Sequence, residues 1–326
     1  METLFRLIEP VQTWLFETVV QPLLFHFGFM SYIEDAYDAT GDVVLALGEI
    51  ALLYVILRPL EAWRPVERWK NRDDVWPDVI YTFLYKTGAL PLIFFLLLTP
   101  PLGELDYLLR DAGYVPPNLE EWLPWLGTHP IAALLTYIVI IDFFEYWRHR
   151  LQHRFNWWWA LHAVHHSQRT MSFWADDRNH VLDGLIEALW LALVAQLVGV
   201  SGAQFVGIVF VFTLVESLSH ANLRFNFGVV GERTVVSPLF HRVHHGIGVG
   251  HEGDARGCNF ATLFPVWDML FGTANFMRTV PRTGIRDQLH GADYGAGFLD
   301  QQWKGFVRLA LALAPARRSP PRSSAK

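Results

Sequence analysis

Residues 131–153 read IAALLTYIVIIDFFEYWRHRLQH. An apolar run, Ile131 to Trp147, is nearly long enough to cross a bilayer and ends directly in a pair of histidines four residues apart, His149 and His153. Similar apolar runs cover Val43 to Leu60, Val79 to Leu98, Leu185 to Val200 and Gln204 to Leu218, with a weaker one from Val11 to Phe29. Several fall short of the ~20 residues of a straight crossing, so tilted spans or partly inserted hairpins are both compatible with them. The expectation is an all-α integral membrane protein with four to six membrane-embedded helices. An apolar fraction of 52%, a mean hydropathy of +0.21, 14 Trp and 24 Phe agree with it.

Composition excludes several functions. A net charge of −6 and a pI near 6.1 leave no cationic excess for neutralising phosphates, so a nucleic-acid partner is not expected. Cys258 is the only cysteine, which rules out an internal disulfide, a four-cysteine iron–sulfur cluster and a Cys-pair zinc knuckle. A metal would have to be held by His or carboxylate. Met1 to Pro10 carries Glu2 and Glu9 and lacks the basic start of a cleaved signal peptide, so the first apolar segment is expected to be retained.

Charge between the spans gives an orientation. Ser31 to Asp42 has four acids and no Lys or Arg, and Pro100 to Pro130 has five acids against one Arg; both are expected outside. Arg58, Arg64, Arg68, Lys70 and Arg72, then Arg148, Arg150, Arg154 and Arg169, then Arg317, Arg318, Arg322 and Lys326 mark the cytoplasmic side. The alternation closes if Ser201 and Gly202 form a tight outer turn. The histidine-rich segments then share the cytoplasmic face. Trp303 to Leu313 has helical apolar spacing, read as a helix packed on the domain or lying on the membrane surface. Ala314 to Lys326 is rich in Pro, Ser and Arg and reads as disordered.

Three histidine boxes follow one pattern: His149-Arg-Leu-Gln-His153, His162-Ala-Val-His165-His166 and His241-Arg-Val-His244-His245. On a helix, positions three and four apart share a face, so each box aims its imidazoles at one point. In a chain with 14 histidines, chance yields His-x-x-His-His on the order of 0.03 times, and here it occurs twice. Eight imidazoles exceed what one tetrahedral ion can use, so two metal ions are implied. Glu145 and Asp142, before the first box, are candidate acceptors for a ligand imidazole proton, or else salt-bridge partners of nearby arginines. His26 and His129 read as structural, and His251 and His290 as surface residues. Gly248-Val-Gly250-His-Glu-Gly253 spells a dinucleotide fingerprint but follows a histidine helix rather than a strand, and is read as a flexible loop beside the site.

These residues resemble the fatty acid hydroxylase and sterol desaturase superfamily. The resemblance rests on Asp142-Phe-Phe-Glu-Tyr-Trp147, His149-Arg150, His153, Trp159, His162 to Ser167, Pro238, His241 to His245, Asn259 and Trp267-Asp268-Met-Leu-Phe271-Gly272-Thr273. It covers Ile131 to Ala274 and leaves the first 130 residues and the tail unmatched. It implies a membrane-bound non-haem enzyme whose cytoplasmic helical cap holds two iron ions. Such an enzyme uses dioxygen and two electrons to hydroxylate or desaturate a lipid that enters from the bilayer. Residue by residue, it marks His149, His153, His162, His165, His166, His241, His244 and His245 as ligands and adds His220 as a ninth. His180 is a tenth ligand or orients one, and Glu216 stands where some members have a further histidine, as a carboxylate ligand or an acceptor behind one. The organisation expected is N-terminal membrane helices at 1–130, the catalytic domain at 131–275, a C-terminal segment with an amphipathic helix at 276–313 and a basic tail at 314–326.

Breaking an unactivated C–H bond needs a redox metal and dioxygen rather than an acid, base or nucleophile. The sequence has no haem-attachment motif, no cysteine set for a cluster and no flavin or nicotinamide fold, so a ferredoxin or a b-type cytochrome with its reductase is the expected electron donor. Two other classes remain open. A zinc-dependent membrane hydrolase would use nitrogen ligands too, but the His-Glu-x-x-His acid is missing. A metal transporter or sensor would place its ionisable residues midway through the spans, whereas these histidines gather at span ends.

Overall fold

The computed structural model describes residues 2–69, 73–115 and 118–315, and among them the chain is helical, with one isolated antiparallel bridge, Gly246 to Thr283. Lys70 and Arg72, and the basic tail from residue 316 on, lie outside the described residues. The principal helices are α1 (Glu2–Leu15), α2 (Ile33–Trp63), α3 (Trp76–Lys86), α4 (Ala89–Asp111), α5 (Pro130–Arg154), α6 (Asn156–His166), α7 (Val181–Val198), α8 (Gly202–His220), α9 (Pro238–His244) and α10 (Phe298–Leu313). Among the described residues, four helices are long and apolar enough to cross a membrane: Met30–Trp63, Ala89–Asp111, Pro130–Arg154 and Val181–Val198. Gln204–His220 is a shorter apolar helix beside them. Lipid contact explains their outer faces, where Val55, Phe95 and Leu96 stand largely exposed.

The helices are punctuated as the chain chemistry dictates. Pro130 and Pro238 open α5 and α9, where the missing N–H costs nothing. Ser237 caps α9 by accepting from the Phe240 amide at 3.1 Å. Between α7 and α8 the turn is tight: Gly199 takes a left-handed conformation, and Ser201 and Gln204 form a capping box. The expected break at Ser201 and Gly202 is therefore where the chain turns.

Two spans run differently from the sequence reading. The segment Val79 to Leu98 is not one helix, because Gly88 at φ +85° separates α3 from α4. Lys86, at the end of α3, instead pairs with Glu49 at 3.3 Å and Asp177 at 3.6 Å. The lost length is recovered beyond Pro100 and Pro101, which α4 accommodates in its interior, so the expected loop from Pro100 is helical to Asp111. Ser31 to Asp42, expected as a loop, is largely the first turns of α2. Helix α1 continues through a π-helical turn and Gln21–Phe27 and packs on α2, with the Gln12 amide donating to the Tyr37 carbonyl at 2.9 Å.

The core that positions the histidines is built on α5. Ala133, Tyr137, Ile138 and Ile141 are buried against Val194 and Val198 of α7 and Ile208 and Phe212 of α8. Helix α10 packs on α6 and, through Gly305, on the His180 ring that caps the start of α7, where an added Cβ would collide with the imidazole. Its opposite face leaves Leu299, Trp303 and Leu311 exposed, so both readings of this segment have a face: one packs, the other stays apolar and open.

Candidate metal centre

Four helices deliver the nine boxed and adjacent histidines to one place. The C-terminal turn of α5 brings His149 and His153, α6 brings His162, His165 and His166, the last residue of α8 is His220, and α9 with its C-terminal neighbour brings His241, His244 and His245. They sort into two groups whose ligand atoms lie within 4.8 Å of one another: His149, His153, His162, His166 and His244; and His165, His220, His241 and His245. The groups touch, the His166 and His245 rings stacking at 4.3 Å. Every one of the nine is buried.

Hydrogen bonds on the outer ring nitrogens fix which nitrogen faces inward. Nδ1 of His149 donates to the Phe260 carbonyl (2.9 Å), His165 to that of Arg178 (3.1 Å), His220 to that of Glu216 (2.8 Å) and His244 to that of Cys258 (2.8 Å). His162 Nδ1 donates to the Asp183 carboxylate at 3.2 Å. A carbonyl cannot donate, so in these neutral rings Nε2 is bare and presents a lone pair. His165 and His220 nevertheless bring Nε2 to Nε2 at 3.2 Å, and Nε2 of His149 and of His162 are buried without a partner. Lone pairs facing one another in a dry interior are unfavourable until a cation sits between them. The donor set thus fits metal ions of intermediate softness such as iron, zinc or copper, two in number.

Burial pushes the histidines outside the membrane spans in one direction, reinforced by neighbouring rings except at His162, where the Asp183 carboxylate opposes it. His162, His165, His166, His241 and His245 are held below the ordinary imidazole range, and His244 at about 3. They are neutral at physiological pH, as ligands must be. In the unfolded chain the same groups titrate near 6.5, so below that pH the unfolded state binds more protons and stability falls with pH. Metal-free protein in detergent is expected to lose about 10 °C or more in Tm between pH 7.5 and pH 5.5. A melt independent of pH over that range would mean that the rings open to water without metal.

A frame of short hydrogen bonds holds the orienting carbonyls. Asp268 accepts from the Phe260 and Ala261 amides at 2.9 and 2.8 Å and from Thr273 Oγ1 at 2.6 Å. Asn259, at φ +57°, donates to the carbonyls of Phe240 and Asn275. Asp142 accepts from the Leu263 and Phe264 amides and from the Trp267 indole. The Asn259 and Trp-Asp signature is therefore the clamp that sets residues 258–260 against His149 and His244.

The remaining candidates lie elsewhere. His180 stands outside both groups: its Nε2 donates to the Gln302 carbonyl at 3.0 Å and its Nδ1 accepts from the Leu182 amide, so both nitrogens tie α10 to the start of α7. The Glu216 carboxylate also lies outside the groups, facing the space beside them. Glu145 pairs with Arg148 at 2.6 Å, the salt-bridge reading, and Asp142 serves the clamp rather than an imidazole. The acceptor behind a box imidazole, His162, is instead Asp183, which also takes hydrogen bonds from Gln152 Nε2 and Trp158 Nε1. Its signal in the sequence was an acid within an otherwise apolar run. His251 is no plain surface residue either, because its ring lies flat on Trp159 beside His153.

An apolar cavity of about 730 Å³ opens between α4, α7 and α8, walled by Phe94, Phe95, Leu98, Leu191, Phe205 and Val209. A smaller polar space of about 70 Å³ touches His149, His162, His165, His220 and His241. The two meet at Asp176, Asn179, Glu187 and Glu216, which line both.

Residues 134–273 match the family model described as fatty acid hydroxylase. Ornithine lipid hydroxylase OlsE of Rhizobium tropici is 27% identical over 269 residues, 82% of this chain and 75% of that protein. Alkylglycerol monooxygenase of Homo sapiens is 29% identical over 136 residues, 41% of this chain and 28% of the relative's length. Delta(7)-sterol 5(6)-desaturase ERG3B of Gibberella zeae is 25% identical over 231 residues, 68% of this chain and 67% of that protein. No solved structure matches the chain.

Proposed function

From a chain that carries a fatty acid hydroxylase domain at residues 134–273, we propose a membrane-bound non-haem di-iron oxygenase that hydroxylates a lipid with dioxygen and two externally supplied electrons. The chain is an oxidoreductase acting on lipid, the chemistry common to the hydroxylase, monooxygenase and desaturase relatives. The observation that carries the finer reading is the pairing of two adjoining all-imidazole groups with an apolar cavity between the membrane helices that meets the polar space beside them.

His149, His153, His162, His166 and His244 would hold one ion and His165, His220, His241 and His245 the other. Bound iron would supply the one-electron chemistry and dioxygen activation that no side chain can provide. The protein's own part is binding and exclusion. Phe94, Leu98, Leu191 and Val209 give an acyl chain an apolar path, and their packing keeps bulk water from the histidines. The carboxylates at the junction and the backbone carbonyls behind the rings offset the charge that two cations on neutral ligands would bring. Loop charges support placing the histidine cap on the cytoplasmic side, where soluble electron carriers are found.

The test is metal content and dioxygen-dependent oxidation of a total lipid extract by detergent-purified protein with a chemical electron source. About two irons per chain and oxygenated lipid at the expense of dioxygen are expected. Stoichiometric zinc with no oxygen uptake would replace this reading with the hydrolase or a structural metal.

A further inference from the structure

Hydroxylation consumes two electrons and two protons besides dioxygen: R–H + O2 + 2e⁻ + 2H⁺ gives R–OH + H2O. On the proposed function, on which this inference rests, those electrons arrive from another protein, because the single cysteine is buried and supplies no cluster. The question is where they enter. Among the described residues, three aromatic rings that are not in the two groups touch the five-histidine group: Phe260, Trp159 and His251. Phe260 is 1% exposed and faces inward. Trp159 and His251 are half-buried and lie flat on each other, centroids 3.4 Å apart and planes 4° apart. The Trp159 ring is 5.0 Å from that of His153 and 5.1 Å from that of His166, and His251 is 5.5 Å from His153. This stack reaches from the surface of the cap to two histidines.

Around it exposed arginines outnumber exposed acids, although the chain as a whole is acidic. The Arg256 guanidinium sits over the end of α5, donating to the Arg154 carbonyl at 2.9 Å and to Asn156 Oδ1 at 2.7 Å. The loop that carries His251 is tied to the segment after it, Ile247 N donating to the Arg282 carbonyl and Arg286 N to Glu252 Oε1. Arg154, Arg256, Arg282 and Arg286 are exposed on these segments. Of the acids in the same segments, Glu252 is turned inward onto the amides of Gly248 and Arg286, Asp287 accepts from the Tyr294 hydroxyl at 3.0 Å, and Asp254 is exposed. An arginine-rimmed, partly open aromatic stack on a protein of net charge −6 is a patch of local charge complementary to an acidic partner.

The geometry points to this face as the docking surface of a small acidic one-electron carrier protein, with the Trp159–His251 stack as the place where its electrons enter. The carrier gives up one electron per encounter and docks twice per turnover. Redox encounters of this kind are small and salt-sensitive.

The experiment uses the full chain in nanodiscs with two probes, an acidic [2Fe–2S] ferredoxin and an acidic b-type cytochrome domain. At least one should bind with a Kd that rises about tenfold between 50 and 300 mM NaCl, and Arg154→Glu with Arg256→Glu should weaken it by about tenfold at low salt. The same double variant should keep dithionite-driven lipid oxidation within about twofold, since dithionite needs no protein surface. Trp159→Leu, at equal iron content, should slow anaerobic oxidation of the reduced carrier at least tenfold without changing its Kd, and Trp159→Phe should restore the rate. Neither probe binding, or charge reversal leaving binding intact, overturns the docking surface. Trp159→Leu slowing the dithionite reaction as much as the carrier reaction overturns the entry point, and Trp159→Phe is put to the same comparison if the Leu variant does not fold. A salt-sensitive complex with no oxidised lipid from either reductant sinks the functional reading and leaves the surface standing.

Discussion

Protein carrying His165→Ala and His244→Ala together is expected to leave purification with less than about a quarter of the wild-type metal and to form no oxidised lipid. The two residues come from different groups, so neither ion keeps its full set. His165 meets His220 at 3.2 Å and His244 meets His166 at 3.1 Å, both through Nε2, and each is aimed by a carbonyl behind it. Removing the ring deletes a donor and frees the carbonyl of Arg178 or Cys258, so the remaining imidazoles lose both a neighbour and a reference position. His180→Ala is the control. Its ring touches Gln302 and Phe306, so that variant should melt earlier while keeping its metal. Metal content by emission spectroscopy and product by mass spectrometry decide the matter. Wild-type metal in the double variant would mean that the nine histidines are a buried polar core and not a metal site.

That the histidines cluster was legible because spacing of three and four puts the rings of a box on one helix face; how they divide was not, since His162 and His166 join one group and His165 the other, and His244 parts from His241 and His245 in the same way. The clamp residues Asn259 and Asp268 stood in the motif, but their purpose was not visible, since it runs through the backbone carbonyls of Cys258 and Phe260 rather than through side-chain spacing. The spans were read with less precision where polarity and breakers disagree. Gly88 and Lys86 cut an apolar run that hydropathy alone joins, while Pro100 and Pro101 sit inside a helix that their chemistry suggested would stop. Pairings across the chain were the least visible: Asp183 and His162 are separated by 21 residues and Trp159 and His251 by far more, and no periodic pattern connects them.

Asp183→Asn is expected to lower iron retention against a chelator by about tenfold to a hundredfold and to reduce kcat while leaving KM for lipid nearly unchanged. Asp183 is fully buried, and its two oxygens accept from Trp158 Nε1 at 2.7 Å, from Gln152 Nε2 at 3.0 and 3.2 Å and from His162 Nδ1 at 3.2 Å. All three partners donate. An amide in that position must turn its NH2 toward at least one of them, so one donor meets another donor. If the conflict falls on His162, its proton moves to Nε2, the atom that would otherwise hold metal, and one ligand of the five-histidine group is lost by tautomer alone. Asp183→Ala is a harsher change that strands three buried donors, each at a cost of about 1–3 kcal/mol, so it should destabilise the fold as well as the site. The amide variant separates the two effects: its shape is conserved, and Gln152 can rotate to follow. Iron retention equal to wild type in Asp183→Asn would show that the carboxylate only fastens α7 to α5 and α6, whereas iron lost at an unchanged melting temperature would assign it to orienting His162.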